Sequence, residues 1–213
     1  MFIEEARWLN ELLGGLPLER GATVLDIGSS TEYFRRVEQP YIDYYVFRPL
    51  RQRGVGAVHV DVKKDDGVDV VCDLTVPGPE DALESLPRGD VVLCSNLLEH
   101  VTDRELVANR LREVTAPGGV LIVTAPHVYP YHPDPIDTLF RPTDAELAEL
   151  VGDGFTPVAS AILEVDNPRR SEAPARAMWN FIPYGLFRLQ QSVRHPRPPQ
   201  AKVSAVAFRK PAA

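Results

Sequence analysis

The run from Ala22 to Phe34, Ala-Thr-Val-Leu-Asp-Ile-Gly-Ser-Ser-Thr-Glu-Tyr-Phe, constrains this chain more than any other. Thr23 to Ile27 is short, apolar and rich in β-branched residues, which suits a buried strand. Gly28 breaks it, and small hydroxyl residues lead into a helical stretch. A strand, a small-residue turn and a helix form the opening unit of a doubly wound sheet, where ligands gather beyond the carboxyl ends of the strands. Asp26 stands one residue from that end, where a carboxylate can accept hydrogen bonds or hold an ammonium group.

The rest of the chain alternates in the same way. Phe2, Ala6, Leu9, Leu12 and Leu13 have helical spacing, and Gly14-Gly15 ends that helix. Strands are predicted over Val55–Val62, Val68–Cys72, Asp90–Cys94 and Val120–Ala125, the last entered through Pro117-Gly118-Gly119. Helices are predicted over Tyr33–Val37, Asp103–Val114 and Asp144–Val151. Capping boxes open the last two, Thr102 with Glu105 and Thr143 with Glu146. Tyr41 to Leu50 is aromatic-rich and fits neither period. Phe155–Val165 and Lys202–Phe208 read as two late strands forming an antiparallel edge. The fold class is therefore α/β: a Rossmann-like, mainly parallel seven-stranded sheet with helices on both faces and an antiparallel edge strand. Asp61, Asp73 and Ser95 then join Asp26 at the carboxyl ends of the strands.

A chain of 213 residues suffices for one domain over 1–213. No apolar run spans a bilayer, and Glu4 and Glu5 stand where a signal peptide would be basic. Cys72 and Cys94 read as buried free thiols, so the expectation is a cytoplasmic protein. No metal-binding spacing is present, and no metal site is expected. The net charge of -7 hides an asymmetry: Asn167 to Lys202 holds seven Lys or Arg and one Glu, or +6, leaving -13 elsewhere. Residues 167–201 read as a basic, aromatic insertion between the last two strands, with Trp179, Phe181, Tyr184 and Phe187 among its arginines. It suits a lid, a homodimer contact or a peripheral contact with an anionic membrane. It lacks a nucleic-acid-binding module, so no nucleic acid is expected.

Four stretches stand in a telling order: Val24-Leu25-Asp26-Ile27-Gly28, Val68 to Asp73, Asp90 to Val101 (DVVLCSNLLEHV) and Ala116 to Ile122 (APGGVLI). Together, from about Thr23 to Val165, the chain resembles the class I S-adenosylmethionine (SAM)-dependent methyltransferases, and most of all their type 11 small-molecule group. The resemblance implies S-adenosyl-L-methionine as cofactor. Gly28 would let the backbone approach its methionine part, with Ser30 at the next repeated position and Asp26 near the amino group. Asp61 would hold the ribose hydroxyls, although Asp43, Asp65 and Asp66 compete for that role. Asp73 would accept from the adenine amino group, with Leu74 against the ring. Ser95 and Asn96 would line the sulfonium region, and Glu99 and His100 follow in a stretch that often closes over the cofactor. The reading rests on Asp26, Asp61 and Asp73 converging on one nucleoside.

The family usually repeats glycine where this chain has Ser30 and Glu32. Glu32 brings a carboxylate close to the cofactor's own, which repels it unless the side chain turns outward. That departure motivates an alternative, a catalytically inactive binding or scaffold protein of the same fold. A nicotinamide-dependent oxidoreductase is disfavoured, because Gly-x-Gly-x-x-Gly is missing after the first strand.

His127, Tyr129, Tyr131, His132, Asp134 and Asp137 crowd the proline-rich loop after the fifth strand. Methyl transfer needs an in-line nucleophile and, for a hydroxyl acceptor, a group to take the proton. His127 and His132 are the candidate catalytic bases; the alternative is that they only brace a rigid turn. Arg141 holds the loop or pairs with a substrate acid, structural pairing being the commoner fate. The expected activity is SAM-dependent methylation of a small-molecule acceptor, with oxygen slightly favoured.

Overall fold

A computed structural model describes residues 1–76, 86–132, 136–165 and 201–212. Its centre is a seven-stranded sheet in the order β3-β2-β1-β4-β5-β7-β6. The strands are β1 Thr23–Ile27, β2 Gly56–Asp61, β3 Val70–Val71, β4 Gly89–Ser95, β5 Thr115–Val128, β6 Thr156–Val165 and β7 Ala201–Arg209. Neighbours from β3 through β5 pair in parallel. β7 runs antiparallel to both β5 and β6, so the last two strands form the antiparallel edge that their pattern predicts. Strand order reverses between β1 and β4, the switch point beside which open α/β sheets bind ligands.

Alternation along β1 explains the two covered faces. Leu25 and Ile27 enter one apolar cluster with Val107 and Leu111 of α3 (Arg104–Val114) and Leu147 and Val151 of α4 (Asp144–Val151). Val24 enters the other, with Leu9 and Leu13 of α1 (Ile3–Gly15) and Leu50 of α2 (Arg48–Gln52). The central strands are buried on both faces, so they read as near-continuous apolar runs.

Several boundaries differ from the sequence reading: Tyr33–Val37 winds as a π-type turn over Phe34–Glu38, β5 begins at Thr115 rather than Val120, and three more differ for a clear local reason. Tyr41–Leu50 becomes a wide π-type turn over Asp43–Phe47 followed by α2, and neither has the 3.6-residue period of a longer helix. The third strand shortens because Val68 N–H turns back to Asp65 O, while Asp69 takes the N–H of His59 on its carboxylate. The N-terminus of α3 is capped by Asp103, not by a box from Thr102: Asp103 Oδ1 accepts from Leu106 N at 2.9 Å. The Thr143–Glu146 box at α4 forms in full. Cys72 and Cys94 are both buried, and neither takes part in a disulfide. Burial pushes the Cys94 thiol far above its usual range, which makes it unreactive.

Among the described residues no helix is long and apolar enough to cross a membrane. The basic insertion lies outside the described residues as far as Gln200, and Ala201 already belongs to β7.

The difference in capping gives a direct test. Asp103→Ala should cost about 1 kcal/mol in urea unfolding, the usual worth of a lost cap, whereas Thr102→Ala should stay within about 0.5 kcal/mol of the parent.

Candidate active site

The loop after β1 is built around Gly28, whose φ is +74°. A Cβ there would be strained and would also stand 3.2 Å from Leu97 Cδ1. Gly28 N and Ser29 N both donate to Val60 O of β2. Ser30, itself at φ +54°, donates its N–H to Asp61 Oδ2 at 2.7 Å. Asp61 Oδ1 accepts from Lys63 N at 3.0 Å. From below, the buried Arg35 donates to Ser29 O at 2.9 Å, Ser30 O at 2.6 Å and Gly67 O at 2.6 Å. Burial lowers the Arg35 pKa, and the nearby Asp26, Asp69 and Glu32 oppose that shift. One guanidinium and one carboxylate thus fix two successive peptide groups of this loop and tie them to Gly67.

Glu32 lies outside this bracket. Its carboxylate pairs with Arg36 one helical turn on, and its side chain is 45% exposed. The carboxylate is turned outward.

The acids at the strand ends separate. Asp26 follows Val24 onto the α1 face, where its Oδ2 lies 2.8 Å from His59 Nδ1 on the neighbouring strand. The His59 ring stands edge-on to Phe47 at 4.8 Å. Asp26 is therefore committed to a contact between β1 and β2. Asp61 and Asp73 remain at the ends of adjacent strands. Asp73 Oδ1 accepts both bonds from Thr75, at 2.8 Å to N and 2.6 Å to Oγ1. Leu74 is buried in the α3 and α4 cluster. Ser95 ends β4 with its Oγ buried and without a hydrogen-bond partner among the described residues. Asn96 does not face the same way. Its amide donates to both carboxylate oxygens of Glu5, at 2.9 and 3.0 Å.

Glu5 escaped the sequence reading of the site. It is fully buried, and besides Asn96 it accepts from Phe2 N and Thr124 Oγ1. The only local signal was a carboxylate on the apolar stripe of α1, next to Ala6 and Leu9.

The loop after β5 folds back onto the short turn Leu98–His100. Thr138 donates to Glu99 O from both N, at 2.8 Å, and Oγ1, at 2.9 Å. Arg141 holds Asp137 with two bonds, at 2.6 and 3.0 Å, and reaches the carbonyls of Tyr129 and Phe140. Burial alone would raise the Asp137 pKa, but Arg141 and the N–H groups of His132 and Leu139 outweigh it and hold it well below the usual carboxylate range. Arg141 is thus the loop's structural clamp.

The two candidate bases part company. His127 Nδ1 lies 3.0 Å from Pro142 O, a carbonyl that Ser204 of β7 also reaches. His132 sits edge-on to His100 at 5.2 Å and to Tyr129 at 5.1 Å. Glu99 is almost wholly buried beside them, and burial pushes its pKa up to about 7. Glu99, His100 and His132 form one compact group over the ends of β4 and β5.

Comparison with known proteins adds the following. A family model described as a methyltransferase domain matches residues 3–188. No curated protein matches the chain. Solved structures share the fold. One is the (4+2)-cyclase SpnF, with 16% identity and a TM-score of 0.58 over 98% of this chain and 81% of that one. Another is the Burkholderia thailandensis 1,6-didemethyltoxoflavin-N1-methyltransferase, with bound 1,6-didemethyltoxoflavin and S-adenosylhomocysteine, at 18% identity, TM-score 0.53 and 98% and 78% coverage. A third is phosphoethanolamine N-methyltransferase 2 of Haemonchus contortus with S-adenosyl-L-methionine, at 15% identity and TM-score 0.52. That match covers 97% of this chain but 52% of the other.

Glu99 gives the site a pH signature. A carboxyl group raised from 4.5 to about 7 holds a proton in the folded state that the unfolded chain releases. Its stabilising effect is whole below pH 4.5 and is lost as pH rises through 7. Glu99→Gln should therefore gain on the parent by roughly 3 kcal/mol between pH 5 and pH 8, read from urea unfolding in EDTA. The N-terminal ammonium, Glu5 and Arg141 are the charged groups that act on Glu99, and His100 and His132 stand beside it.

Proposed function

The chain belongs to the methyltransferase domain family, and from that premise we propose that it methylates an oxygen on a small-molecule acceptor with S-adenosyl-L-methionine. The observation that carries this reading is Asp61, a buried carboxylate at the tip of β2 beside the switch point, pre-set by two backbone N–H groups. Each of its oxygens keeps a lone pair, and two vicinal ribose hydroxyls match one such carboxylate.

The residues fit the cofactor. Glu32 turns to Arg36 and leaves the place of the amino-acid tail without an opposing charge. The Ser95 Oγ, without a partner among the described residues, offers a polar contact at the end of β4. Gly28 and Ser30 would line the methionine part, Asp61 the ribose, Asp73 and Leu74 the adenine, and Ser95 the sulfonium side. Asp26 and Asn96 would act one step back, Asp26 through His59 and Asn96 through Glu5. When bound, S-adenosyl-L-methionine supplies an electrophilic methyl group on a sulfonium. The chain's part is to orient the acceptor and handle its proton. We assign that task to the group of Glu99, His100 and His132 and favour His132 over His127, which is tied to Pro142 O. A cytoplasmic setting and a homodimer contact through residues 167–201 belong to the same proposal.

The inactive-scaffold reading loses its motive with the outward turn of Glu32. The binding test separates the two. S-adenosylhomocysteine at about 100 times its Kd should stabilise the fold by about 2.7 kcal/mol, seen as a raised Tm. Asp61→Asn should weaken its calorimetric Kd at least tenfold, while Glu32→Gly should leave it within about twofold. Absence of binding to the parent chain would refute the proposal.

A further inference from the structure

We propose that Glu99, His100 and His132 bind one divalent transition-metal cation, which receives the oxygen of the acceptor. One ligand atom from each residue lies within 4.8 Å of the other two. Donors arranged tetrahedrally at about 2.1 Å from an ion are about 3.4 Å apart, so binding would draw these atoms together by up to about 1.4 Å, within the reach of side-chain rotation.

Two further observations point to a cation. Glu99 is 1% exposed, and its Oε2 accepts no hydrogen bond among the described residues. A buried carboxylate oxygen without a donor is costly, and a metal ion removes that cost. The histidines are also turned for coordination. His100 Nδ1 lies 2.5 Å from Ile136 O, so it must carry the proton and donate to that carbonyl. In the neutral ring the other nitrogen, Nε2, is the one free to coordinate, and it lies 3.7 Å from Glu99 Oε1. His132 Nδ1 lies 3.0 Å from Asp137 Oδ2, close but out of line for a hydrogen bond. A small turn of the ring would complete a carboxylate–histidine pair and leave Nε2 as the nitrogen free to coordinate. Holding the outer nitrogen on a carbonyl or carboxylate is how proteins orient metal-bound histidines. Asp137 itself is committed to Arg141 and two backbone N–H groups, so it supports the site and does not ligate.

Two imidazoles and one carboxylate suit zinc, iron(II) or manganese better than calcium or magnesium. Three protein ligands leave positions open to the substrate. The inference deepens the proposed function, because it rests on this group being the acceptor site. A hydroxyl bound to the ion loses its proton to solvent at a lowered pKa, so in the metal-bound form His132 acts as a ligand and the ion replaces it as the means of activating the hydroxyl. The oxygen then forms its bond to the methyl carbon as the carbon–sulfur bond breaks. The sulfonium becomes a neutral thioether, and charge and atoms balance. Acceptors with two adjacent oxygens, which can chelate, are favoured.

The test is Zn2+ titration of the chelator-treated full chain against a chromophoric chelator. One equivalent should bind at micromolar Kd or tighter. Glu99→Gln, nearly isosteric, should weaken binding at least tenfold, His100→Ala with His132→Ala should abolish it, and His127→Ala should bind as the parent does. Zn2+ should raise the Tm of the parent but not of the double variant. Failure of the parent to bind one equivalent overturns the proposal, as does binding that survives the double variant. S-adenosylhomocysteine calorimetry in chelator keeps the two readings apart. Its failure alongside Zn2+ binding at these residues would defeat the methyltransferase reading and leave the metal site standing.

Discussion

A carboxylate lies buried where α1 crosses the ends of β4 and β5, and neutral donors hold it. Glu5 takes its bonds from Phe2 N, the Asn96 amide and the Thr124 hydroxyl. Each bond to a charged group is worth about 1.5–3 kcal/mol, and each donor left buried without it costs a similar amount. The consequence reaches beyond α1. Asn96 sits at φ +50°, a conformation that asparagine tolerates better than most residues, and its side chain is pinned to Glu5. That fixes the direction in which the chain leaves β4. Two residues later begins the turn Leu98–His100, so the placement of Glu99 and His100 depends on a residue at the other end of the sequence.

The opposite half of the site uses the same device with the charges exchanged. There the buried Arg35 collects the carbonyls of Ser29, Ser30 and Gly67, and Asp61 takes the N–H of Ser30. A strand-to-helix loop with no long glycine repeat would otherwise be loose. Arg35 and Asp61 give by hydrogen bonding the definition that a tight glycine turn gives by sterics. The candidate cofactor half therefore rests on β1 and β2, and the candidate acceptor half on β4 and β5. The two meet at Leu97, packed against Gly28.

What could be read from the sequence follows from range. The central strands were legible because burial on both faces makes them continuous apolar runs. The Thr143 box was legible because all its partners lie within four residues. At α3 two candidate caps stand side by side, and geometry alone selects Asp103 over Thr102. The outward turn of Glu32 was written in its spacing to Arg36, although the family comparison drew attention to its charge instead. The direction of Asp26 was not legible. It depends on register, since only the pairing of Asp26 with His59 decides what that carboxylate meets. The group of Glu99, His100 and His132 was invisible for a related reason. Metal-ligand patterns are recognised by short spacings, and here the folding back of the loop through Thr138 brings the third side chain of the group in.

The fold does not by itself dictate what happens on it. A (4+2)-cyclase and two N-methyltransferases share this architecture with the chain at 15–18% identity. The sheet supplies only an edge at which strand ends and loops converge. Chemistry is decided by what stands above the ends of β4 and β5, and in this chain that is a nearly buried carboxylate facing two imidazoles, clamped by Arg141 and Asp137. A site for an amine acceptor has little use for such a group, because an amine can attack once it has lost its proton to water. A hydroxyl is a poor nucleophile until a base or an ion takes up its proton's role. Side chains of this kind would answer that need, and that is what supports the proposed oxygen acceptor.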